Sequence, residues 1–182
     1  MKETFRRLTV FTVSALLLFS VWFLCSFPAC VPKEYVLNEK TFFKVMTNIQ
    51  AYPEQYLDKN LEFDCFTYSL TDVSSGKEYI CGVRKCSSSY GCTCGKDTVI
   101  GFILNYEGEI PAPRNQSEDN ADKTWVHLRG SLSGAEKTEI TVYAYDNGGI
   151  TDRKERISFL SFTVSSVSVI DDYSGLNYYV TK

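Results

Sequence analysis

Apolar and polar residues repeat with two different periods along this chain. Early on, Phe42, Val45, Met46 and Ile49 recur at steps of three and four, which predicts one apolar face of a helix over residues 39–51. Asn38 is placed to cap that helix and Pro53 to end it. Beyond Pro53 the period drops to two. In residues 61–70 (LEFDCFTYSL), Leu61, Phe63, Cys65 and Thr67 face one way and Glu62, Asp64, Phe66 and Tyr68 the other, as in a half-buried strand. Ser74-Ser75-Gly76-Lys77 reads as the turn into a second strand over 78–84. Residues 98–105 (TVIGFILN) form a nearly continuous apolar run, as a central strand does, and Gly101 marks a bulge or a close contact in it. A polar loop over 110–123 precedes strands over 125–132, where Gly130 permits a bend, and 139–145, which ends in the turn Asp146-Asn147-Gly148-Gly149. Residues 157–170 read as a long strand with serines on a wet face, and 171–182 as a peripheral tail.

This pattern predicts a mainly β fold with one leading helix. The expected architecture is a small barrel of five to seven strands, of the oligonucleotide/oligosaccharide-binding (OB) type, because closure removes exposed sheet edges. The chain of 182 residues allows one such domain over 38–182.

The first 30 residues follow another logic. Lys2, Arg6 and Arg7 outweigh Glu3, and an uncharged stretch then runs to Pro32. This is the pattern of an export signal or a membrane anchor, with residues 31–37 as a linker. Phe27-Pro28-Ala29-Cys30 resembles a bacterial lipobox with Phe27 in place of the usual leucine, which makes Cys30 the expected lipidation site. Val31 onward is then expected outside the cytoplasm, since the positive flank precedes the apolar run. The expected location is the bacterial cell envelope. Beyond residue 30 the chain carries 16 basic against 21 acidic residues, a net charge of −5. That balance argues against a nucleic-acid partner, which needs a basic surface to displace counterions.

Cysteines carry the sharpest chemical signal: Cys81, Cys86, Cys92 and Cys94, with Cys65 on the preceding strand. Three readings stand side by side. Export favours disulfides, and the hairpin brings Cys65 and Cys81 within reach of each other. Thiolates of Cys86, Cys92 and Cys94 can hold zinc or copper(I), although the Cys-x-x-Cys knuckle is absent. A reactive or redox thiol is the third.

Phe66–Arg84, the Cys/Gly-rich stretch 86–95, the Gly-containing strand 98–104 and Trp125-Val126-x-x-x-Gly130 occur in an order that resembles the soluble C-terminal domain of a bacterial family of uncharacterised membrane proteins encoded beside a predicted permease. The resemblance spans roughly residues 38–170. It implies an OB-like domain and an envelope protein working with a transporter, with a metal ion as one candidate cargo. The family's loop carries adjacent cysteines where this chain has Cys92-Thr93-Cys94, and its multispan N-terminal part is replaced here by a single leader.

Phe66, Tyr68, Tyr79 and Tyr106 are candidates for an aromatic ligand face of the kind OB domains use. His127, the one histidine, reads as a surface strand residue, and Glu62 with Asp64 as solvated charges on an outward face. No nucleophile motif, phosphate cradle or calcium loop is present, so a binding or accessory module is expected rather than an enzyme. The alternative is a cysteine-based metal-binding or thiol-redox envelope protein.

Overall fold

A computed structural model describes residues 34–86, 98–114, 123–146 and 149–180. The elements are β1 (Glu34–Leu37), α1 (Phe42–Ala51), a 3-10 turn (Pro53–Tyr56), β2 (Asn60–Thr71), β3 (Glu78–Cys86), β4 (Thr98–Asn105), β5 (Trp125–Asp146), β6 (Gly149–Val169) and β7 (Tyr179–Val180). Phe42, Met46 and Ile49 are the buried face of α1, as their spacing requires. The Asn38 side-chain oxygen accepts the backbone N–H groups of Lys40 and Thr41, and its carbonyl accepts that of Phe42, which starts the helix. Pro53 opens the 3-10 turn that follows.

Three elements differ from the sequence expectation. Glu34–Leu37, read as part of a linker, is a strand lying parallel to Asn60–Phe63. Four residues with one buried side chain carry no legible period, so the partner strand decides the conformation. The strands expected over 125–132 and 139–145 are one bent strand, with the irregularity between Leu132 and Lys137 taking up the intervening residues. β6 begins at Gly149, eight residues before the expected start, because its charged first half pairs with distal β5 while staying largely exposed.

The sheet runs β1-β2-β5-β6-β4-β3-β7, with an additional pairing of β2 to β3. β2 serves two neighbours in turn. Leu61–Phe66 pair with β5, and Phe66–Thr71 pair with β3. β4 and β6 are parallel, whereas β2–β3, β3–β4 and β5–β6 are antiparallel. An edgeless closed barrel, the expectation from the sequence, is not what forms. The short strands β1 and β7 remain as outer strands, each pairing on one side, while the β2–β3 pairing joins the two ends of the run β2-β5-β6-β4-β3.

Two apolar clusters result. The inner one gathers Phe63, Cys65, Phe102, Leu128 and Phe162 beneath the helix residues Phe42, Met46 and Ile49. The outer one gathers Phe66, Cys81, Val83, Ile103 and Trp125 from the other faces of the same strands, with Ile140 and Phe159 from the distal part of β5–β6. Two glycines allow this packing. A Cβ on Gly101 would run into the carbonyl oxygen of Gly82, and one on Gly130 into that of Thr163. Gly130 also sits at a register shift of β5, the bend its position in the sequence suggests. Among the described residues no helix is long and apolar enough to cross a membrane.

Candidate functional site

Alternation on β2 and its register against β5 build a polar cluster from residues that are far apart in sequence. Asp64 lies opposite His127 and Glu62 opposite Arg129. His127 Nδ1 is 2.7 Å from Asp64 Oδ1 and its Nε2 is 3.2 Å from Glu62 Oε1. Arg129 Nε donates to Glu62 Oε2 at 2.7 Å. The imidazole is thus held between two carboxylates, and only the imidazolium can donate to both at once. With each ring nitrogen facing a carboxylate, neither is left to activate a water or a hydroxyl.

Beside this cluster lies a cavity of about 200 Å³, lined by Leu37, Glu39, Glu62, Asp64, Arg84 and His127 among others. Arg84 is 1% exposed, an unusual burial for a guanidinium. Its Nη1 donates to Glu39 Oε1 at 2.7 Å and its Nη2 to Glu39 Oε2 at 3.0 Å, a two-pronged carboxylate pair. Nη2 also donates to the carbonyl of Asn177. The guanidinium lies 5.3 Å from the Phe42 ring and 4.9 Å from that of Trp125, so two aromatic faces replace the water it gave up. Glu39 accepts further bonds from the backbone N–H and side-chain amide of Asn177.

The sequence-predicted residues are dispersed. Phe66, expected on an open ligand face, is a core residue at 1% exposure, stacked on Tyr178 at 5.4 Å. That correction has a simple cause: the tail, read as peripheral, packs over this face. Tyr68 is partly buried against the outer cluster, Tyr79 lines a separate cavity of about 290 Å³, and Tyr106 is an exposed side chain beyond β4. The four do not share one open surface.

The expected closeness of Cys65 and Cys81 is also corrected. They lie on opposite faces of the β2–β3 pair, Cys65 in the inner cluster and Cys81 in the outer, and both are free thiols. Burial pushes the Cys65 thiol far above its ordinary range and that of Cys81 up to about 12, so neither is a thiolate at neutral pH. Cys86 is buried at the end of β3. Cys30, Cys92 and Cys94 lie outside the described residues. Among the described residues no group of three or more His, Cys, Asp or Glu side chains is arranged to hold a metal ion.

Sequence reading passed over the polar cluster because each member alone resembles a solvated charge. The signal that finds it is joint: Glu62-x-Asp64 on one strand and His127-x-Arg129 on another share a period of two, so pairing the strands places opposite charges in contact. Arg84 and Glu39 left no such trace.

The family profile described as the DUF1980 C-terminal domain matches residues 30–145. The UPF0703 protein YcgQ of Bacillus subtilis (strain 168) is 24% identical over 103 residues, which is 56% of this chain and 31% of that protein. The chain therefore spans less than a third of the length of that curated relative. No solved structure matches. With the profile covering most of β1 to β5, including the groove and its polar cluster, the chain belongs to the DUF1980 C-terminal domain family.

Proposed function

We propose that the chain is a membrane-tethered, extracytoplasmic binding module that serves as an accessory to an envelope or transport complex. One observation carries this reading: the groove beside His127 offers charged and apolar surface but no group free to react. Its histidine faces two carboxylates and its arginine is held by a third. Such a site recognises rather than transforms. The leader with Lys2, Arg6, Arg7 and the lipobox-like Phe27–Cys30 supplies the tether, with Cys30 as the lipidated residue. The module's strand connections support an OB-like reading. A five-stranded, partly open barrel is the hallmark of that fold, and here β2 pairs with both β3 and β5 while β4 runs parallel to β6.

The cysteine-based alternative, with zinc or copper or a redox thiol, keeps Cys86, Cys92 and Cys94 as its residues. The buried, protonated thiols of Cys65 and Cys81 count against a part for those two. The partner is proposed to be a membrane protein, in keeping with a net charge that disfavours nucleic acid.

Metabolic labelling with a fatty-acid analogue, followed by membrane fractionation, tests the tether. The full chain is expected to carry the label and sediment with membranes, and Cys30→Ser to lose both. Affinity capture from solubilised membranes is then expected to recover an integral membrane protein. Native chain found acyl-free in the soluble fraction would end this reading.

A further inference from the structure

Two polar atoms beside the cavity of about 200 Å³ are left unanswered by the fold. Arg84, which lines the cavity, has five N–H donors. Four of them are placed. Nη1 donates to Glu39 Oε1 at 2.7 Å and to the Asp64 carbonyl at 3.4 Å, and Nη2 to Glu39 Oε2 at 3.0 Å and to the Asn177 carbonyl. The fifth, on Nε, has no hydrogen-bond partner although the residue is 1% exposed. A buried donor left alone costs free energy, so such an orphan marks a place for a further acceptor. The second atom belongs to Asp64. Its Oδ1 faces His127 Nδ1 at 2.7 Å, and among the described residues no donor reaches Oδ2. The Asp64 side chain keeps 35% of its surface in water, so a solute can meet it. The bond from Arg84 to the Asp64 carbonyl sets the two residues side by side.

We propose that this cavity binds a free aliphatic α-amino acid, its carboxylate accepting from Arg84 Nε and its ammonium donating to Asp64 Oδ2. A guanidinium bonds best to a carboxylate, and a carboxylate to a charged donor. One small ligand offers both groups a few ångströms apart. The rest of the lining selects for it. Glu39, Glu62 and Asp64 outnumber Arg84 and His127 even when the imidazole carries a proton, which favours a ligand with an ammonium over a bare anion. Val36, Leu37, Phe63 and Leu176 supply an apolar wall for a short side chain. The volume lies below the roughly 300 Å³ at which sites for drug-sized ligands begin, so a nucleotide or an oligopeptide does not fit. His127 and Arg129 are positioning residues, since they hold one oxygen of Asp64 and both oxygens of Glu62. This proposal rests on the reading of the chain as a binding module, and names the class of ligand that the module takes.

Titration calorimetry on the full chain in detergent tests this with three probes: L-valine, isobutylamine, which lacks the carboxylate, and 3-methylbutanoate, which lacks the ammonium. L-valine is expected to bind, and each of the other two at least about tenfold more weakly, a comparison that leaves the protein unchanged. Asp64→Asn keeps the shape but removes the charge, and is expected to weaken L-valine binding about tenfold. Val36→Trp, at a lining position that is 62% exposed, is expected to fill the cavity and abolish binding while the chain still melts cooperatively. The proposal is overturned if L-valine gives no binding at millimolar concentration, which would leave the cavity to water, or if isobutylamine binds as tightly as L-valine, which would make it a plain cation site. It is overturned equally if Val36→Trp, still folded, binds L-valine unchanged. Fatty-acid labelling and sedimentation of the same preparations separate the two readings. L-valine bound by an acyl-free, soluble chain ends the tether and leaves the site standing; a labelled, sedimenting chain that ignores L-valine ends this proposal alone.

Discussion

The inner and outer clusters share the same strands but are closed in different ways. The inner cluster is covered by α1, a helix from the same local stretch of chain, and Phe42, Met46, Ile49, Phe63 and Phe102 are all at 0–1% exposure. The outer cluster has an equally dry floor at Phe66 and Trp125, but its roof comes from residues 74 to 112 positions beyond Phe66 in sequence. Ile140 and Phe159 belong to the distal part of β5–β6, and Tyr173, Leu176 and Tyr178 to the tail, where burial is only partial. A face can thus be covered by a regular helix or by an irregular segment that keeps part of its own surface in water, and Val180 at the end of that segment reaches the inner cluster as well.

Truncating one aromatic residue in each cluster gives the largest expected effects. Phe63 is ringed by Phe42, Phe102 and Phe162 at centroid distances of 6.0, 5.8 and 5.5 Å, all on well-packed elements. Phe63→Ala is expected to cost about 4 kcal/mol, since little can collapse into the space. Phe66 meets Trp125 and Tyr178, and the tail bearing Tyr178 can settle inward, so Phe66→Ala is expected to cost about 3 kcal/mol. Urea unfolding with equal slopes for the two variants measures both. A larger loss at Phe66 would mean that the roof is as rigid as the helix, and the contrast would disappear.

Arg84 sharpens the comparison because it touches both clusters, Phe42 on one side and Trp125 on the other. Glu39→Ala leaves a guanidinium buried without its carboxylate and is expected to cost about 2 kcal/mol, less than for a fully buried pair because Glu39 keeps 28% of its side-chain surface in water. Glu39→Leu combined with Arg84→Met is expected to cost less than the sum of the single changes, since no charge is stranded. Additive losses in that cycle would show that the two residues stabilise the fold independently, and that the ion pair is not what joins the clusters.

Most of the inner cluster was legible in the sequence. The three-and-four spacing of α1 and the two-residue spacing of Leu61, Phe63 and Cys65 each identify a buried face without knowledge of its partner. The outer cluster was half legible. Alternation places Phe66 and Tyr68 on the correct face of β2, but it does not show that distal β5, Ile157 and Phe159 of β6 and an irregular tail without a repeating period cover that face. Local pattern reports which residues seek burial and cannot report which distant segment provides it. The site was less legible still. Arg84 resembles any strand arginine until the fold sets Glu39, Phe42 and Trp125 around it.

The smallest expected effect concerns the turn that fastens the roof at its β2–β3 end. Asp72 accepts hydrogen bonds from the Ser74 hydroxyl and the Ser75 hydroxyl at 2.7 Å each, from the Ser74 N–H, and from the N–H of Thr141 on β5. The Ser74 and Ser75 hydroxyls are the main reasons that its carboxyl is held down at about 2. A depressed carboxyl contributes stability that is complete above its unfolded value near about 4 and is lost as pH falls through about 2. Protonation removes acceptors on the side where β5 crosses the turn, and Val73 N–H, bonded to the Thr141 carbonyl, lies at that crossing. Amide protection at Val73 is therefore expected to fall between pH 4 and pH 2 while protection in inner-cluster strands holds, and Asp72→Asn is expected to flatten that dependence. Equal acid sensitivity of both sets of amides would mean that the clusters open as one unit.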